Sequence, residues 1–260
     1  MKIAVMGKGV FGEVLGDILI ENGHEVSFYD PIKNHDTFED VLYNANLILT
    51  VVPSNVIPDL LNKLPKNIPL INATKGILTD RLFKDFKDWM VISGPGFAKD
   101  IEAHKRTLLT ATDKRIIELF QNDYLKFELT DDRLGVLMCG ALKNVYAIGA
   151  GYFGLLPESN EMQDYLQKVE NEMRLILAEN GANPQTVELS CGRGDLKLTC
   201  SFSSRNYEFG TKVRGDKKFK PDKTTEGITT LGVIKDHQIK LPINQLPILE
   251  KLLVKSNGWT

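Results

Sequence analysis

Near its amino terminus the chain has three glycines in the spacing Gly7-x-Gly9-x-x-Gly12, directly after the apolar run KIAVM. An amphipathic segment rich in Val, Leu and Ile at helical spacing follows. Between a strand and a helix, such glycines allow a tight turn, close approach of a ligand to the backbone, and close packing of the helix on the strand. The motif therefore predicts that the chain begins with a strand–turn–helix unit of a parallel α/β sheet.

The first half of the chain repeats this alternation. The apolar runs KIAVMG, HEVSFYD, LILTVVPS, PLINATKG, WMVISGPG and TLLTATD each end in Gly, Ser, Pro or Asp, and amphipathic segments separate them. Strands that alternate with helices predict a mainly parallel sheet with its active edge at the strand carboxyl ends. From Arg133 onwards helical spacing dominates. We predict an α/β fold with a Rossmann-like domain at residues 1–130 and an all-α domain at residues 131–260.

The glycine motif and the second apolar run together predict a dinucleotide site. A helix N-terminus directly after the glycines suits a pyrophosphate. Asp30, at the end of HEVSFYD, stands where an acidic side chain accepts hydrogen bonds from the adenosine ribose hydroxyls. This favours NAD over NADP, because a 2′-phosphate would meet a like charge. The alternative is that Asp30 is a turn residue before Pro31.

Residues 134–156 form an apolar segment in which Lys143 is the only charge. The segment has the length of a membrane span, but Lys143 and Asn144 at its centre and several glycines argue against one. We expect instead a helix that is buried on all sides. The residues three and four positions from Lys143 are Cys, Gly, Tyr and Ala, so its own helix offers it no polar stripe.

A partly desolvated lysine that faces a carbonyl group can donate a proton as an alkoxide develops, which hydride transfer requires. Our hypothesis is that Lys143 is this acid and base, and that Asn144 orients substrate or cofactor. A purely structural lysine is the alternative, although among Gly and Ala in mid-helix it would not easily reach water.

Other polar residues complete a candidate site. Lys75 ends the run NATKG and should point into the same crevice, with a helix-capping role as the alternative. Asp195 and Thr199 in GRGDLKLTC supply a carboxylate and a hydroxyl, and Arg205 with Asn206 in SFSSRNYEFG supplies a guanidinium–amide pair. Because arginine matches phosphate oxygens in a bidentate way, the set predicts a site for a small phosphorylated carbonyl compound.

Composition and the remaining motifs argue against other classes. A net charge of -2 gives no sign of a nucleic-acid partner. The basic stretch at residues 212–223 is expected to be a solvated loop or a lid near the site. The histidines lack ligand spacing, so no metal site is expected. The cysteines form no C-x-x-C pair, and the first residues already read as a strand rather than a signal peptide. We therefore expect a cytoplasmic protein.

The order of these motifs resembles that of the NAD(P)-dependent sn-glycerol-3-phosphate dehydrogenase family. GKGVFG, VVPS, NATKG and SGPGFAKDI resemble its N-terminal landmarks, and GALKNVYAIGAG, CGRGDLKLTC, SSRN and TTEGITT its C-terminal ones. The match runs from Lys2 to about Ile243. It implies the fold of the 6-phosphogluconate-dehydrogenase-like superfamily, NAD or NADP as cofactor, and a homodimer. The implied reaction is reversible reduction of dihydroxyacetone phosphate to sn-glycerol 3-phosphate, which supplies glycerophospholipid synthesis.

The resemblance also implies roles for individual residues. The implied catalytic residues are Lys143, Lys75, Asp195 and Thr199. The implied substrate-binding residues are Asn144, Ser204, Arg205 and Asn206. The implied cofactor-binding residues are Gly7, Gly9, Val10, Phe11, Gly12, Asp30, Pro53, Lys75, Ser93, Pro95, Phe97, Ala98, Arg205 and Glu226.

The chain is short for the family and departs from its pattern at three places. Residues 157–168 read PESNEMQDYLQK where the family has a stretch like GDNTKAALITRG, Gly96 replaces a motif serine, and Lys8 occupies a usually small position. Two alternative functions stay open. One is a related oxidoreductase acting on another small phosphorylated or carboxylated hydroxy compound. The other is a nucleotide-binding sensor without turnover, against which Lys143 argues.

Overall fold

A computed structural model of the protein describes residues 1–33, 36–221, 225–236, 239–257 and 259. The chain divides into two compact units, which are Met1–Thr74 with Asp80–Arg133 and Lys75–Thr79 with Leu134–Thr260. The first unit is α/β and the second is helical. The short segment Lys75–Thr79 groups with the second unit although it lies in the first half of the sequence, which the sequence pattern did not indicate.

Within the described residues, the first unit contains a seven-stranded sheet in the order β2-β1-β3-β4-β5-β6-β7. The strands are β1 (Lys2–Met6), β2 (Glu25–Tyr29), β3 (Leu47–Thr50), β4 (Leu70–Asn72), β5 (Trp89–Ser93), β6 (Thr107–Ala111) and β7 (Leu125–Leu129). All neighbouring pairs are parallel except β5 and β6. The predicted mainly parallel fold is confirmed, while β7 and the antiparallel pair were not anticipated.

The helices of the first unit fill the connections between these strands. They are α1 (Val10–Glu21), α2 (Phe38–Leu42), α3 (Ile57–Lys63), α4 (Ala98–Glu102) and α5 (Lys114–Phe120). Helix α1 buries Val14, Leu15, Ile18 and Leu19 in the core of the unit, as the helical spacing of these residues predicts. Because the strands are parallel, their carboxyl ends bring the loops after β1, β2 and β3 to one edge.

The second unit is built around a central helix. Its helices are α6 (Arg133–Phe153), α7 (Asn160–Glu179), α8 (Asp195–Thr199), α9 (Arg205–Gly215), α10 (Glu226–Lys235) and α11 (Pro247–Lys255). In the described part of the chain, α6 is the one helix that is long and apolar enough to cross a membrane, and 94% of its most apolar window is buried inside the protein. This burial is what the core helix of a globular domain shows.

Glycines let other helices approach α6 closely. A Cβ added at Gly151 of α6 would collide with the carbonyl of Tyr207 in α9, and a Cβ at Gly210 of α9 would collide with the carbonyl of Ile148 in α6. The two helices therefore meet backbone to backbone, which only residues without a side chain permit. Gly151, one of the glycines that argued against a membrane span, thus has a packing role.

A buried carboxylate joins α6, α7 and α11. Glu172 of α7 accepts hydrogen bonds from the backbone N–H of Ile248 (2.6 Å) and Leu249 (3.0 Å), and from the hydroxyl of Tyr146 (2.9 Å). Burial raises the pKa of Glu172, and these three donors offset only part of that effect. Because the N–H groups belong to the first turn of α11, Glu172 acts as its cap from a neighbouring helix.

Candidate active site

The glycine motif forms the turn between β1 and α1. Gly7 has a φ of +112°, and a Cβ there would collide with the carbonyl of Val51. A Cβ at Gly12 would collide with the carbonyl of Gly7, so Gly12 permits close packing of α1 on the turn. A Cβ at Gly9, in contrast, would meet nothing within 4 Å. The space beside Gly9 is therefore open to a ligand, at the N-terminus of α1.

A cavity of about 800 Å³ opens at the carboxyl ends of β1, β2 and β3. Of the predicted cofactor residues, it is lined by Gly7, Gly9, Asp30 and Pro53. Apolar side chains that the sequence analysis did not assign complete its wall: Tyr29, Ile32, Phe38, Val56 and Leu60. A cavity of this size, with a helix N-terminus and an open glycine at one end and an apolar wall, fits a dinucleotide.

The carboxylate of Asp30 connects the glycine turn to the loop after β2. It accepts hydrogen bonds from the backbone N–H of Lys8 (3.1 Å), Ile32 (3.0 Å) and Lys33 (3.1 Å). Burial raises the pKa of this carboxyl group, but the three N–H donors and the Lys33 ammonium together outweigh burial and lower it. Asp30 is thus a turn residue, and it also lines the cavity. Its contact with a ribose stays a prediction.

Val10 and Phe11 of the glycine motif do not line this cavity with their side chains. Val10 begins α1 and is 61% exposed. Phe11 packs against the core of the first unit. Their predicted cofactor role would therefore have to rest on the backbone N–H groups of the first turn of α1.

The segment after β5 has a distinct polar feature. The hydroxyl of Ser93, the last residue of β5, is buried and has no hydrogen-bond partner among the described residues. Pro95 and Phe97 follow, and Ala98 begins α4. A water, an ion, a ligand or local strain can account for such an atom, so a contact of Ser93 with the cofactor stays a prediction. A Cβ at Gly96 would lie 3.0 Å from Ile101 Cδ1, so the missing family serine leaves this segment tightly packed.

In the second unit, two lysines share one buried carboxylate. Lys143 of α6 donates to Oδ1 of Asp195 at 2.7 Å and to Oγ1 of Thr199 at 2.9 Å. Lys75 donates to Oδ2 of Asp195 at 2.8 Å. The Thr199 hydroxyl donates in turn to the backbone carbonyl of Asp195 at 2.6 Å, so its lone pairs are free to accept from Lys143. The structure brings together the four residues that were predicted to be catalytic.

Local structure explains how these side chains meet. Asp195 and Thr199 are the first and last residues of the single-turn helix α8, so they lie on one face of it. A π-helical turn, Ser190–Gly194, leads directly into this helix. Lys75 lies in irregular chain after β4, and no helix begins there. The alternative of a helix-capping role for Lys75 is therefore wrong.

Burial controls the protonation of Lys143, whose side chain is 5% exposed. Desolvation lowers the pKa of Lys143 from 10.5 to about 7, although Asp195 raises it, and the positive charge of Lys75 lowers it further. A pKa near neutrality lets a group both donate and accept a proton at ordinary pH. The ammonium group has three N–H donors, and the described residues provide the two acceptors named above. Contact of the third donor with a substrate oxygen stays a prediction.

Two buried amides, those of Asn144 and Asn206, contact each other. The Asn144 amide nitrogen donates to the Gly140 carbonyl (3.1 Å), and the Asn206 amide nitrogen donates to Asn144 Oδ1 (2.9 Å). Asn206 Oδ1 accepts the backbone N–H of Gly227 (3.0 Å). The pair therefore links α6, α9 and α10. Sequence reasoning assigned both residues to the substrate and missed their contact with each other.

The remaining predicted residues lie at helix starts. Ser204 is the N-cap of α9, Arg205 is its first residue, and Glu226 is the first residue of α10. Arg205 is exposed and lines a second cavity of about 250 Å³, together with Lys212 and the aromatic residues Phe209 and Phe219. The described lining also includes Glu208, so this cavity carries two cations and one carboxylate. Binding of a substrate phosphate there stays a prediction.

Part of the basic stretch at residues 212–223 is helical, because α9 continues to Gly215. The expectation of a loop is therefore wrong for its first four positions. Lys212 makes an ion pair with Glu208 at 2.8 Å, and its Nζ lies 5.0 Å from the centre of the Phe219 ring. Asp222 and Lys223, at the end of the stretch, lie outside the described residues.

The divergent region at residues 157–168 forms the start of α7. Ser159 is the N-cap, and its hydroxyl accepts the backbone N–H of Met162 at 3.1 Å. This arrangement explains the local sequence as a helix start. In the described part of the chain, no group of three or more His, Cys, Asp or Glu side chains is arranged to hold a metal ion. Two of the histidines, His35 and His237, lie outside the described residues.

Comparisons with known proteins show the family to which the chain is similar. The protein-family model for the NAD-dependent glycerol-3-phosphate dehydrogenase N-terminus matches residues 27–116. The family model for the C-terminus matches residues 132–254. A glycerol-3-phosphate dehydrogenase [NAD(P)+] of Lactobacillus acidophilus is 30% identical, with 94% of this chain and 91% of that protein covered. A glycerol-3-phosphate dehydrogenase [NAD(P)+] of Streptococcus agalactiae serotype V is 30% identical, with 96% of this chain and 90% of that protein covered.

Solved structures show the same fold at lower identity. A glycerol-3-phosphate dehydrogenase from Coxiella burnetii has a TM-score of 0.79 at 23% identity, over 99% of this chain and 97% of that chain. A glycerol-3-phosphate dehydrogenase from Plasmodium falciparum has a TM-score of 0.82 at 18% identity, over 99% of this chain and 91% of that chain. The family models, the relatives and the fold agree, and the chain belongs to the NAD-dependent glycerol-3-phosphate dehydrogenase family.

Proposed function

We propose that the protein catalyses the reversible NAD(P)H-dependent reduction of dihydroxyacetone phosphate to sn-glycerol 3-phosphate, which supplies glycerophospholipid synthesis. The single observation that carries the proposal is the cluster in which Lys143 and Lys75 share the carboxylate of Asp195 beside Thr199. A reaction that turns a ketone into an alcohol needs a proton donor at the carbonyl oxygen, and this cluster supplies one in a family of matching activity.

In this mechanism, Lys143 gives its proton to the carbonyl oxygen of the ketone during reduction and takes a proton from the alcohol during oxidation. The nicotinamide supplies the hydride when it is bound. Asp195 holds the Lys143 ammonium through Oδ1, and Thr199 fixes it from a second direction. Lys75 places a second positive charge at the same carboxylate, which favours negative charge on the substrate oxygen.

We assign the remaining predicted residues to the two ends of the substrate and to the cofactor. Arg205 would bind the phosphate, because its guanidinium group is exposed and lies beside Lys212 at the smaller cavity. Asn144 and Asn206 would orient the substrate through amide N–H groups beyond those that pair them. The glycine turn would hold the pyrophosphate, with the exposed N-terminus of α1 facing it.

The same proposal gives roles to the two halves of the chain. Residues 1–130 would bind NAD(P), and residues 131–260 would bind the substrate and carry the catalytic lysine. We further propose a cytoplasmic homodimer. The three cysteines support the cytoplasm because all are buried thiols outside any disulfide, which suits a reducing compartment. Sedimentation of the purified protein would test the dimer.

The deciding experiment follows the loss of NADH absorbance with dihydroxyacetone phosphate and, in parallel, with unphosphorylated dihydroxyacetone. Wild type should require the phosphate. Lys143→Met should lose about a hundredfold to ten-thousandfold in kcat. The matched control is Lys197→Met, because Lys197 lies in α8 between Asp195 and Thr199 but is exposed. It should keep wild-type activity.

Three results would contradict the proposal. Equal rates with both ketones would show that the protein does not recognise the phosphate group. Turnover of a different ketone from a panel, with none of dihydroxyacetone phosphate, would point to another oxidoreductase of the superfamily. Binding of NADH without reduction of any ketone would favour a nucleotide-binding sensor.

A further inference from the structure

The helix that carries Lys143 has few side chains that could hold it in place. Helix α6 contains four glycines, at positions 135, 140, 149 and 151, and glycine has no side chain that packs between those of a neighbouring helix. The Lys143 ammonium group reaches Asp195 and Thr199 only while α6 keeps its rotation and its height against α8. A helix of this composition therefore needs fixed contacts close to Lys143.

Tyr146 lies one helical turn after Lys143 and is held at two places. Its hydroxyl donates to Glu172 Oε2 at 2.9 Å, and its backbone carbonyl accepts the hydroxyl of Tyr165 at 2.7 Å. Because side chains in a helix lean towards its N-terminus, the buried ring of Tyr146 covers the turn of α6 that contains Lys143. We call Tyr146, Tyr165 and Glu172 the tyrosine clamp.

The local sequence explains how the tyrosine clamp forms. Tyr165 and Glu172 are seven residues apart in α7, so they lie on one face of it, two turns or about 10 Å apart. Gly149 makes room for the first of them, because a Cβ at that position would lie 2.5 Å from the Tyr165 hydroxyl oxygen. The bond between Tyr165 and the Tyr146 carbonyl thus depends on the absence of a side chain at position 149.

A buried thiol lies between the tyrosine clamp and the lysine site. Burial raises the pKa of Cys200, which follows Thr199, to about 12, and the positive charge of Lys143 acts against this rise. Burial also raises the pKa of Tyr165 well above its usual value, and Cys200 contributes to that rise. The thiol is therefore within electrostatic range of both side chains. Because the thiol and the hydroxyl stay neutral at ordinary pH, Asp195 and Lys75 are the charged groups that act on Lys143.

We propose that Tyr165 and Tyr146 are positioning residues for the reduction: they hold α6 against α7 so that the Lys143 ammonium group stays at Asp195 and Thr199 during proton transfer. This inference rests on the proposed function, because it concerns the lysine that would transfer the proton. In this scheme neither tyrosine touches substrate or cofactor. Their loss should therefore slow the chemical step and leave binding unchanged.

The test starts with Tyr165→Phe, which removes one hydroxyl and keeps the ring. With NADH and dihydroxyacetone phosphate, kcat should fall by about tenfold to a hundredfold, because a small displacement of a catalytic group is costly to the rate. The KM for the ketone and the dissociation constant of NADH should stay within about twofold of wild type. Rates are compared at urea-free conditions in which denaturation curves show every variant to be folded.

Tyr146→Phe breaks the other bond of the tyrosine clamp and should give the same pattern. If both bonds hold the same turn of α6, the double variant should lose less in kcat than the product of the two single losses. Hydrogen exchange followed by mass spectrometry gives a readout that does not depend on activity. The amides of α6 around Lys143 should exchange faster in each single variant than in wild type.

Ser256→Ala is the matched control. The buried Ser256 hydroxyl also donates to a backbone carbonyl in the second unit, that of Leu253 at 3.0 Å, but it lies at the end of α11 and makes no contact with α6 through this bond. The variant loses the same kind of hydrogen bond as Tyr165→Phe. It should keep the kcat of wild type and its rate of exchange in α6.

The outcomes separate this inference from the proposed function. A kcat of Tyr165→Phe within about twofold of wild type would overturn the inference, and so would an equal loss of kcat in Ser256→Ala. A raised KM with unchanged kcat would place Tyr165 in substrate binding and would overturn it as well. In each of these cases wild type still reduces dihydroxyacetone phosphate, and the proposed function stands. A wild type that reduces no ketone would refute the proposed function, and the inference with it.

Discussion

Replacement of Lys143 by methionine should make the stability of the protein respond differently to pH. The pKa of Lys143 is lowered by burial to about 7 in the folded protein, against 10.5 when the side chain is in water. At about 1.4 kcal/mol per pH unit, that difference corresponds to a cost of about 5 kcal/mol for keeping the ammonium group buried. Methionine fills a similar volume without a charge, so the variant lacks this cost.

The sign follows from proton binding. Between pH 7 and 10.5 the unfolded chain keeps the Lys143 proton while the folded protein has lost it, so the free energy of unfolding rises with pH. Below pH 7 both states hold the proton, and the full cost is present. From pH 6 to pH 9, the free energy of unfolding of wild type relative to Lys143→Met should therefore increase by about 3 kcal/mol.

Urea denaturation of both proteins across this pH range measures the difference, and subtraction removes the titration of groups that do not interact with Lys143. A second measurement follows the same lysine through the reaction rate, which should change with pH in the direction opposite to stability. The rate of ketone reduction needs the protonated lysine and should fall as pH rises through about 7, whereas alcohol oxidation should rise. A stability difference that stays flat, or that falls with pH, would show that Asp195 outweighs desolvation and would refute the reasoning.

Three further variants test separate parts of the structure. Asp195→Asn removes the charge that raises the pKa of Lys143, so the midpoint of the pH profile for reduction should move to lower pH than in wild type. Activity should fall by about a hundredfold. An unchanged midpoint would contradict the ion pair. Glu172→Gln should lower the free energy of unfolding by about 1 to 3 kcal/mol in urea titrations, because buried donors lose a charged acceptor. Gly151→Ala should lower the free energy of unfolding by more than about 2 kcal/mol. Gly232→Ala is the control, because a Cβ there would meet nothing within 4 Å, and it should not lower the free energy of unfolding. Equal effects of the two substitutions in thermal melts would refute the packing argument.

Sequence patterns predicted the parts of the fold that depend on local chemistry. The strand–glycine–helix start, six of the strands and the buried helix around Lys143 each follow from apolar spacing and turn residues within a few positions of each other. Strand β7 was missed although LKFEL alternates apolar and charged residues, as a half-buried strand does, because the sequence analysis considered only continuous apolar runs. The antiparallel pairing of β5 and β6 depends on the relative direction of the two strands, which the spacing of apolar residues does not indicate.

The site was predictable in residue type but not in contacts. Lys143 stood out as a charge in an apolar run, and Asp195 and Thr199 stood out as a carboxylate and a hydroxyl in GRGDLKLTC. That Lys75 shares the same carboxylate depends on a pairing across 120 positions of sequence, and the contact of Asn144 with Asn206 spans 62. Such contacts are set by how the helices pack, so a single sequence carries no direct sign of them.

Helix α6 offers Lys143 no polar stripe of its own, and it contains no carboxylate that could pair with the ammonium group. The partner instead comes from α8, and it is shared with Lys75. The cluster therefore carries a net charge of about +1 when Lys143 is protonated and about zero when it is neutral. In the proposed mechanism, the protonated site would attract an anionic ketone and would lose its extra charge in the step that completes the alcohol. Reduction would thus weaken the attraction for the product, and reprotonation of Lys143 would restore the site for the next substrate.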